Sequence, residues 1–306
     1  MSKRSAVENE RLGRFVEPKV LARISNLNLL ARSVVQGFIS GLHRSTYLGR
    51  SVDFAEHRAY MPGDDIRQID WRLFARTDRF YVKEFEADTN TSLTLLLDVS
   101  RSMNFGSQGI TKLDYARFLA ASLAVFSQKQ RDRIGLVTFD EDILDFVPPS
   151  AKHLEIVLHV IDRLKSVGAS NYAKPLVKAA EAIHRRGIVV LISDLYDEPE
   201  SILDSVKGLR YKGNDLIVFH VLDPAELSFP YDDAANYRDI ESGEAVPIIP
   251  DYLREEYRRL VREHVSRLTR TLGDNRIDYS LFDSSVPLDY ALFHYLATRE
   301  RLTRTR

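Results

Sequence analysis

The sequence of 306 residues predicts an α/β protein: a doubly wound, mostly parallel sheet with an N-terminal helical and small β-rich subdomain. Three observations carry this. From Ser92 onward, short apolar runs alternate with stretches of helical periodicity, as in strands joined by helical crossovers. The runs Ser92–Leu97 and Ile188–Ile192 are near-continuously apolar, as strands covered on both faces must be. Each is followed closely by an aspartate, Asp98 and Asp194, where parallel strands of an open sheet present their ligand-binding edge.

Composition bounds the reading. Hydrophobic residues make up 44% and charged residues 28%, which suits a soluble globular chain with an ample core. A formal net charge of -1 argues against a globally basic nucleic-acid binder. With no cysteine, disulfide scaffolds, thiolate metal sites and cysteine nucleophiles are excluded. The first residues, Met-Ser-Lys-Arg-Ser-Ala-Val-Glu, lack the apolar centre of a signal peptide. No run approaches the roughly 18 apolar residues of a membrane span, so a cytoplasmic location without a membrane span is expected.

Taken in order, residues 1–16 read as a flexible polar N-terminus and 17–90 as a helical plus β-rich region. Val20, Ile24, Leu27, Val34, Phe38 and Leu42 fall roughly at helical spacing, in one helix or in two broken near Ser25-Asn26. Met61-Pro62-Gly63-Asp64-Asp65 is a turn signal, and Arg79–Phe85 reads as a strand. Residues 91–306 form the sheet domain. After its first strand, Thr111-x-x-Asp114 is a capping-box-like start to a helix whose Ala116, Leu119, Ala120, Leu123 and Phe126 share one buried face. A strand within 133–140 follows, then an antiparallel strand over Asp142–Val147 ending at Pro148-Pro149. Leu154 to Leu164 is helical, and a further helix tolerates Pro175 in its first turn. The strand Gly187–Asp194, a helix near 199–211 and the strand Leu216–Leu222 continue the alternation. Residues near 224–250 interrupt it with a hairpin centred on Glu241-Ser242-Gly243-Glu244. A helix over 251–272 with Leu253, Tyr257, Leu260, Val261, His264 and Leu268 inward, a strand near 277–282 and a helix over 288–302 finish the chain.

The chemistry gathers at Asp98-Val99-Ser100-Arg101-Ser102. Alternate residues of an extended segment point the same way, so Asp98, Ser100 and Ser102 can aim three oxygens at one point. Asp194 ends a second strand, and a polar loop with Ser170 lies between the two strands in sequence. One carboxylate with several neutral oxygens suits a hard divalent cation such as Mg2+. An isolated strand-end aspartate would more simply cap a turn; the hydroxyl spacing is what favours a metal.

The Asp98-to-Ser102 stretch resembles the Asp-x-Ser-x-Ser motif of von Willebrand factor type A domains, whose metal-ion-dependent adhesion site holds Mg2+ or Mn2+. The resemblance implies that Asp98, Ser100 and Ser102 hold the cation directly. It implies that Ser170, in Gly168-Ala169-Ser170-Asn171, stands for that family's usual threonine, and that Asp194 bonds to a metal-bound water. Upstream, Phe54-Ala55-Glu56-His57-Arg58-Ala59-Tyr60-Met61-Pro62-Gly63-Asp64-Asp65-Ile66-Arg67-Gln68-Ile69-Asp70-Trp71-Arg72 resembles the signature of the bacterial domain of unknown function fifty-eight family. Ala75-Arg76-Thr77 and Val82-Lys83-Glu84-Phe85-Glu86 continue it. That family couples the segment to a type A-like domain and is commonly encoded beside MoxR-type AAA+ ATPases. The implied function is a non-enzymatic, metal-dependent protein-binding module, an adaptor or partner of such an ATPase, which supplies an acidic residue to the metal.

Two alternatives come from other classes. A metal-dependent hydrolase of phosphate esters could use Asp98 and Asp194, although the sequence carries no phosphate-binding loop, nucleophile elbow or paired-histidine zinc motif. A nucleic-acid binder could use the basic–aromatic segment 58–83, with Arg58, Arg67, Arg72 and Arg76 on phosphates. The same arginines can instead pair with Glu56, Asp64, Asp65, Asp70 and Glu86 and fix the segment in place.

Overall fold

The computed structural model describes residues 18–22, 24, 26–44, 57–59, 81–83, 91–166, 168, 172–183, 186–240 and 243–304. The N-terminal helical stretch is two helices, α1 (Pro18–Leu21) and α2 (Leu27–Arg44). They part at Asn26, whose side chain accepts the Leu29 amide at 3.0 Å and starts the second helix. In the β-rich region, β1 (His57–Ala59) pairs antiparallel with β2 (Tyr81–Lys83). The Met61 turn and Arg67, Arg72 and Arg76 lie outside the described residues.

Among the described residues the main sheet has six strands: β3 (Ser92–Asp98), β4 (Arg133–Phe139), β5 (Ile143–Ser150), β6 (Ile188–Ser193), β7 (Asp215–Leu222) and β10 (Asp278–Asp283). Their spatial order is β10-β7-β6-β3-β4-β5; every pairing is parallel except β4 with β5. The chain leaves β3 towards β4 on one side and later returns to place β6 on the other. The switch in winding direction, where open sheets bind ligands, therefore falls between β3 and β6. The antiparallel edge strand runs on through Pro148 and Pro149, which an edge tolerates because one side of its ladder needs no donors. Gly135 permits this, since a Cβ there would sit 2.9 Å from Pro149 and from the Val147 carbonyl.

Helices cover both faces. On one lie α2, α3 (Lys112–Lys129), α4 (Leu154–Asp162) and α9 (Leu288–Arg304), packed on Leu93, Leu95 and Leu97 of β3 and on Val190 and Ile192 of β6. On the other lie α5 (Ala173–Ala182), α6 (Pro199–Tyr211) and α8 (Pro250–Asp274), packed on Leu96, Val189 and Leu191. The period-two split of each strand between two cores is why these runs read as apolar throughout. Thr111 caps α3 in a reciprocal box with Asp114, as its spacing predicts.

Two expectations are corrected. The α3 helix buries nearly its whole circumference and not one face, because α2 and α9 close over its outer side; Phe38 of α2 stands edge-on to Phe126 at 5.7 Å and to Phe293 at 4.9 Å. In α8, Leu268 is buried, but Leu253 and Leu260 are 43% and 51% exposed. Only the second half of that helix lies against the sheet core; its first half touches Phe229 through Tyr257 at 4.8 Å. The interruption after β7 consists of α7 (Pro224–Ser228) and a hairpin of β8 (Ala235–Arg238) and β9 (Ala245–Ile248), close to the expected bounds.

Candidate metal centre

Asp98 ends β3 beside β6, at the switch point, and is fully buried. Its Oδ1 accepts the Ser100 amide at 2.9 Å, turning the chain so that the next residues double back over the strand end. Its Oδ2 accepts the Ser193 hydroxyl at 2.7 Å. Ser102 sits in the 3₁₀ turn Arg101–Asn104, which brings its Oγ to 3.0 Å from Ser100 Oγ. A tight turn, and not an extended strand, is what brings Ser100 and Ser102 together. A second loop closes on this turn: Ser166 donates to the Ser100 carbonyl at 2.5 Å, and Gly168 accepts the Arg101 amide at 2.8 Å. Ser170, two residues on, lies outside the described residues.

Asp194, the residue after β6, is also fully buried. The Tyr172 hydroxyl stands 3.4 Å from both Asp98 Oδ2 and Asp194 Oδ1, so the two carboxylates face a common point. The structure thus brings together Asp98, Ser100, Ser102 and Asp194. It adds residues that sequence reading missed. Ser193, beside Asp194 in the chain, serves Asp98 instead, and its Oγ also accepts the Leu195 amide at 3.1 Å. Lys112, the first residue of α3, is wholly buried, with Nζ 2.8 Å from Asp194 Oδ2 and 2.7 Å from Glu226 Oε1. Glu226 belongs to the capping box of α7, where its other oxygen accepts the Asp223 amide at 2.8 Å. The only prior signals were a lysine directly after a helix cap and an Asp-Pro-x-Glu helix start.

Burial, reinforced by the nearby charge of Asp194, pushes the Asp98 carboxyl up to about 7. Burial alone would lower the Lys112 ammonium, but Asp194 and Glu226 outweigh it and hold the group above its ordinary value. Burial also raises Glu226, against the pull of Lys112. The Asp98, Asp194 and Glu226 carboxyls and the Lys112 ammonium share this interior.

Those residues fit a hard cation. The donors are carboxylate and hydroxyl oxygens, the preference of Mg2+ and Mn2+. The two serine hydroxyls stand within hydrogen-bond distance of each other, at 3.0 Å, close enough for both to serve one cation. Among the described residues, no group of three or more His, Cys, Asp or Glu gathers to hold a metal, so a site here depends on the serines. The histidines nearby hold structure: His264 meets the Leu195 carbonyl at 3.1 Å, and His220, driven down to about 3 by burial, contacts Tyr279 OH at 2.7 Å.

Fold and site together define a doubly wound α/β protein with a buried oxygen-rich centre at its switch point. The chain belongs to the family described as protein of unknown function DUF58, whose match spans residues 56–267. It is 27% identical over 267 residues to uncharacterized proteins of Mycobacterium tuberculosis and Mycobacterium bovis, covering 85% of this chain and 83% of each relative. Among solved structures it is similar to the conserved hypothetical protein BatB of Bacteroides thetaiotaomicron, at 17% identity and a TM-score of 0.46, over 69% of this chain and 99% of that one. An aerotolerance-related membrane protein of Bacteroides fragilis matches at 16% identity and a TM-score of 0.44, over 66% and 96% of the two chains. The SpRpn10 VWA domain matches at 11% identity and a TM-score of 0.39, over 66% and 94%. Among the described residues, no helix is long and apolar enough to cross a membrane.

Proposed function

We propose that this chain is a non-enzymatic, metal-dependent protein-binding module of the von Willebrand factor A-like type, serving as adaptor to a MoxR-type AAA+ ATPase. Asp98, Ser100 and Ser102 would hold Mg2+ or Mn2+ directly and Ser170 directly or through a water, with Asp194 beside them. The observation that carries this is the pair of serine oxygens 3.0 Å apart beside the Asp98 carboxylate at the sheet's switch point. A bound cation supplies an electrophilic point for a carboxylate oxygen of the partner. The chain's own work is positioning: the Ser100 amide and the Ser193 hydroxyl orient Asp98, and Gly168 anchors the serine turn. The ATPase partner is drawn from the family resemblance.

The test is thermal unfolding in EDTA and then in excess Mg2+ or Mn2+, on wild type and Asp98→Ala. A metal-dependent rise of several degrees in wild type alone is expected, because a ligand of the native state stabilises by mass action. Metal-loaded protein should then retain the ATPase and release it in EDTA. Retention that ignores EDTA would remove the metal from the mechanism. Phosphoester turnover lost in Asp98→Ala would replace the adaptor reading with a hydrolase.

A further inference from the structure

We infer that Lys112 sets the strength of cation binding at this centre, as a resident cation that competes with the metal for Asp194 and is itself restrained by Glu226. The inference rests on the cation reading above. Lys112 is fully buried, and its position is fixed from several sides. Its amide donates to the Phe105 carbonyl at 2.8 Å, and the Thr111 box sets the start of its helix. Nζ reaches Asp194 at 2.8 Å and Glu226 at 2.7 Å, and lies 4.8 Å from the centre of the Tyr196 ring. A buried ammonium so placed cancels much of the attraction that Asp194 would offer a second cation. Glu226 returns part of it by drawing on the same ammonium. With Asp98 ionised, as a bound cation requires, Asp98, Asp194, Glu226 and Lys112 together carry a formal charge of minus two.

Lys112 is thus a positioning residue, and charge series separates that role from packing. Mn2+ affinity is measured by the electron paramagnetic resonance of free Mn2+, on wild type, Lys112→Met, Glu226→Gln and the double variant. Formal charge becomes minus three in Lys112→Met, minus one in Glu226→Gln, and returns to minus two in the double variant. Lys112→Met should bind roughly tenfold or more tightly than wild type, Glu226→Gln roughly tenfold or more weakly, and the double variant close to wild type. If Lys112 acted through packing and not through charge, Lys112→Met would bind no more tightly than wild type, and that result overturns the inference. Should Lys112→Met not fold, Lys112→Gln, which removes the charge and keeps a hydrogen-bond donor, takes its place in the series with the same expected direction. Wild type without Mn2+ binding would instead sink the cation reading and this inference with it.

Discussion

Ser193 on β6 donates its hydroxyl to Asp98 at the end of β3, at 2.7 Å, and so ties together the two strands that flank the switch point. The same oxygen accepts the Leu195 amide at 3.1 Å. Ser193→Ala would leave the fully buried Asp98 carboxylate one donor short and the Leu195 amide without its acceptor. A buried group that loses its partner keeps its desolvation cost, so a loss of about 1–3 kcal/mol is expected from urea unfolding. A loss below about 0.5 kcal/mol would mean that neighbouring donors take over.

Leu195 has φ at +49°, left-handed backbone that leucine seldom adopts, yet its side chain is wholly buried in the core beside α6 and α8. Two effects oppose each other in Leu195→Gly. Relief of the left-handed conformation gains about 1–2 kcal/mol. Removing a buried leucine side chain costs about 2–5 kcal/mol. Burial wins, and the variant should be less stable by denaturant titration. A more stable variant would show that strain at the strand end outweighs the core.

Thr111→Ala should destabilise by about 1 kcal/mol, through loss of the bond that its Oγ1 accepts from the Asp114 amide at 3.0 Å. Thr111→Ser keeps the oxygen and should remain near wild type in the same thermal melts. Equal losses in both variants would assign the effect to the methyl group and not to the cap.

Much of this architecture was legible because β3, β6 and β7 are covered on both faces, which leaves near-continuous apolar runs that local sequence can show. The aspartates were legible only in part. All five parallel strands end on or immediately before one: Asp98, Asp140, Asp194, Asp223 and Asp283. Asp223 caps α7 and holds the Ser107 amide at 2.9 Å; Asp283 accepts the Ser285 amide at 2.8 Å; Asp140 faces the Asp142 amide at 3.3 Å. Those three make turns, the ordinary work of a strand-end aspartate. The hydroxyls two and four residues on are what set Asp98 apart. Lys112, Tyr172 and Glu226 were beyond reach, because crossovers bring them in from distant segments; the helix-start signals beside Lys112 and Glu226 mark caps and say nothing of a shared site. The exposed Leu253 and Leu260 show the converse limit: periodicity identifies a helix but not how much of its stripe has a surface to meet.

Asp289, in the first turn of α9, is only 9% exposed, and burial pushes its carboxyl from the ordinary 3.8 up to about 6. The folded state therefore favours the protonated acid. The resulting contribution to stability is fully present below the unfolded value near 4, fades as pH rises, and is gone once pH passes about 6. Above that, an ionised carboxylate sits where water cannot reach it well, a penalty of roughly 2–3 kcal/mol, eased by up to about 1 kcal/mol by its place at a helix start. Asp289→Asn mimics the protonated acid at every pH. It should be more stable than wild type by roughly 1–2 kcal/mol at pH 8 and indistinguishable from it near pH 4, in urea titrations run at both. A gap that is the same at both pH values would show that the charge on Asp289 is not what the substitution changes. A less stable variant at pH 8 would show that the carboxylate holds the start of α9 more strongly than burial opposes it.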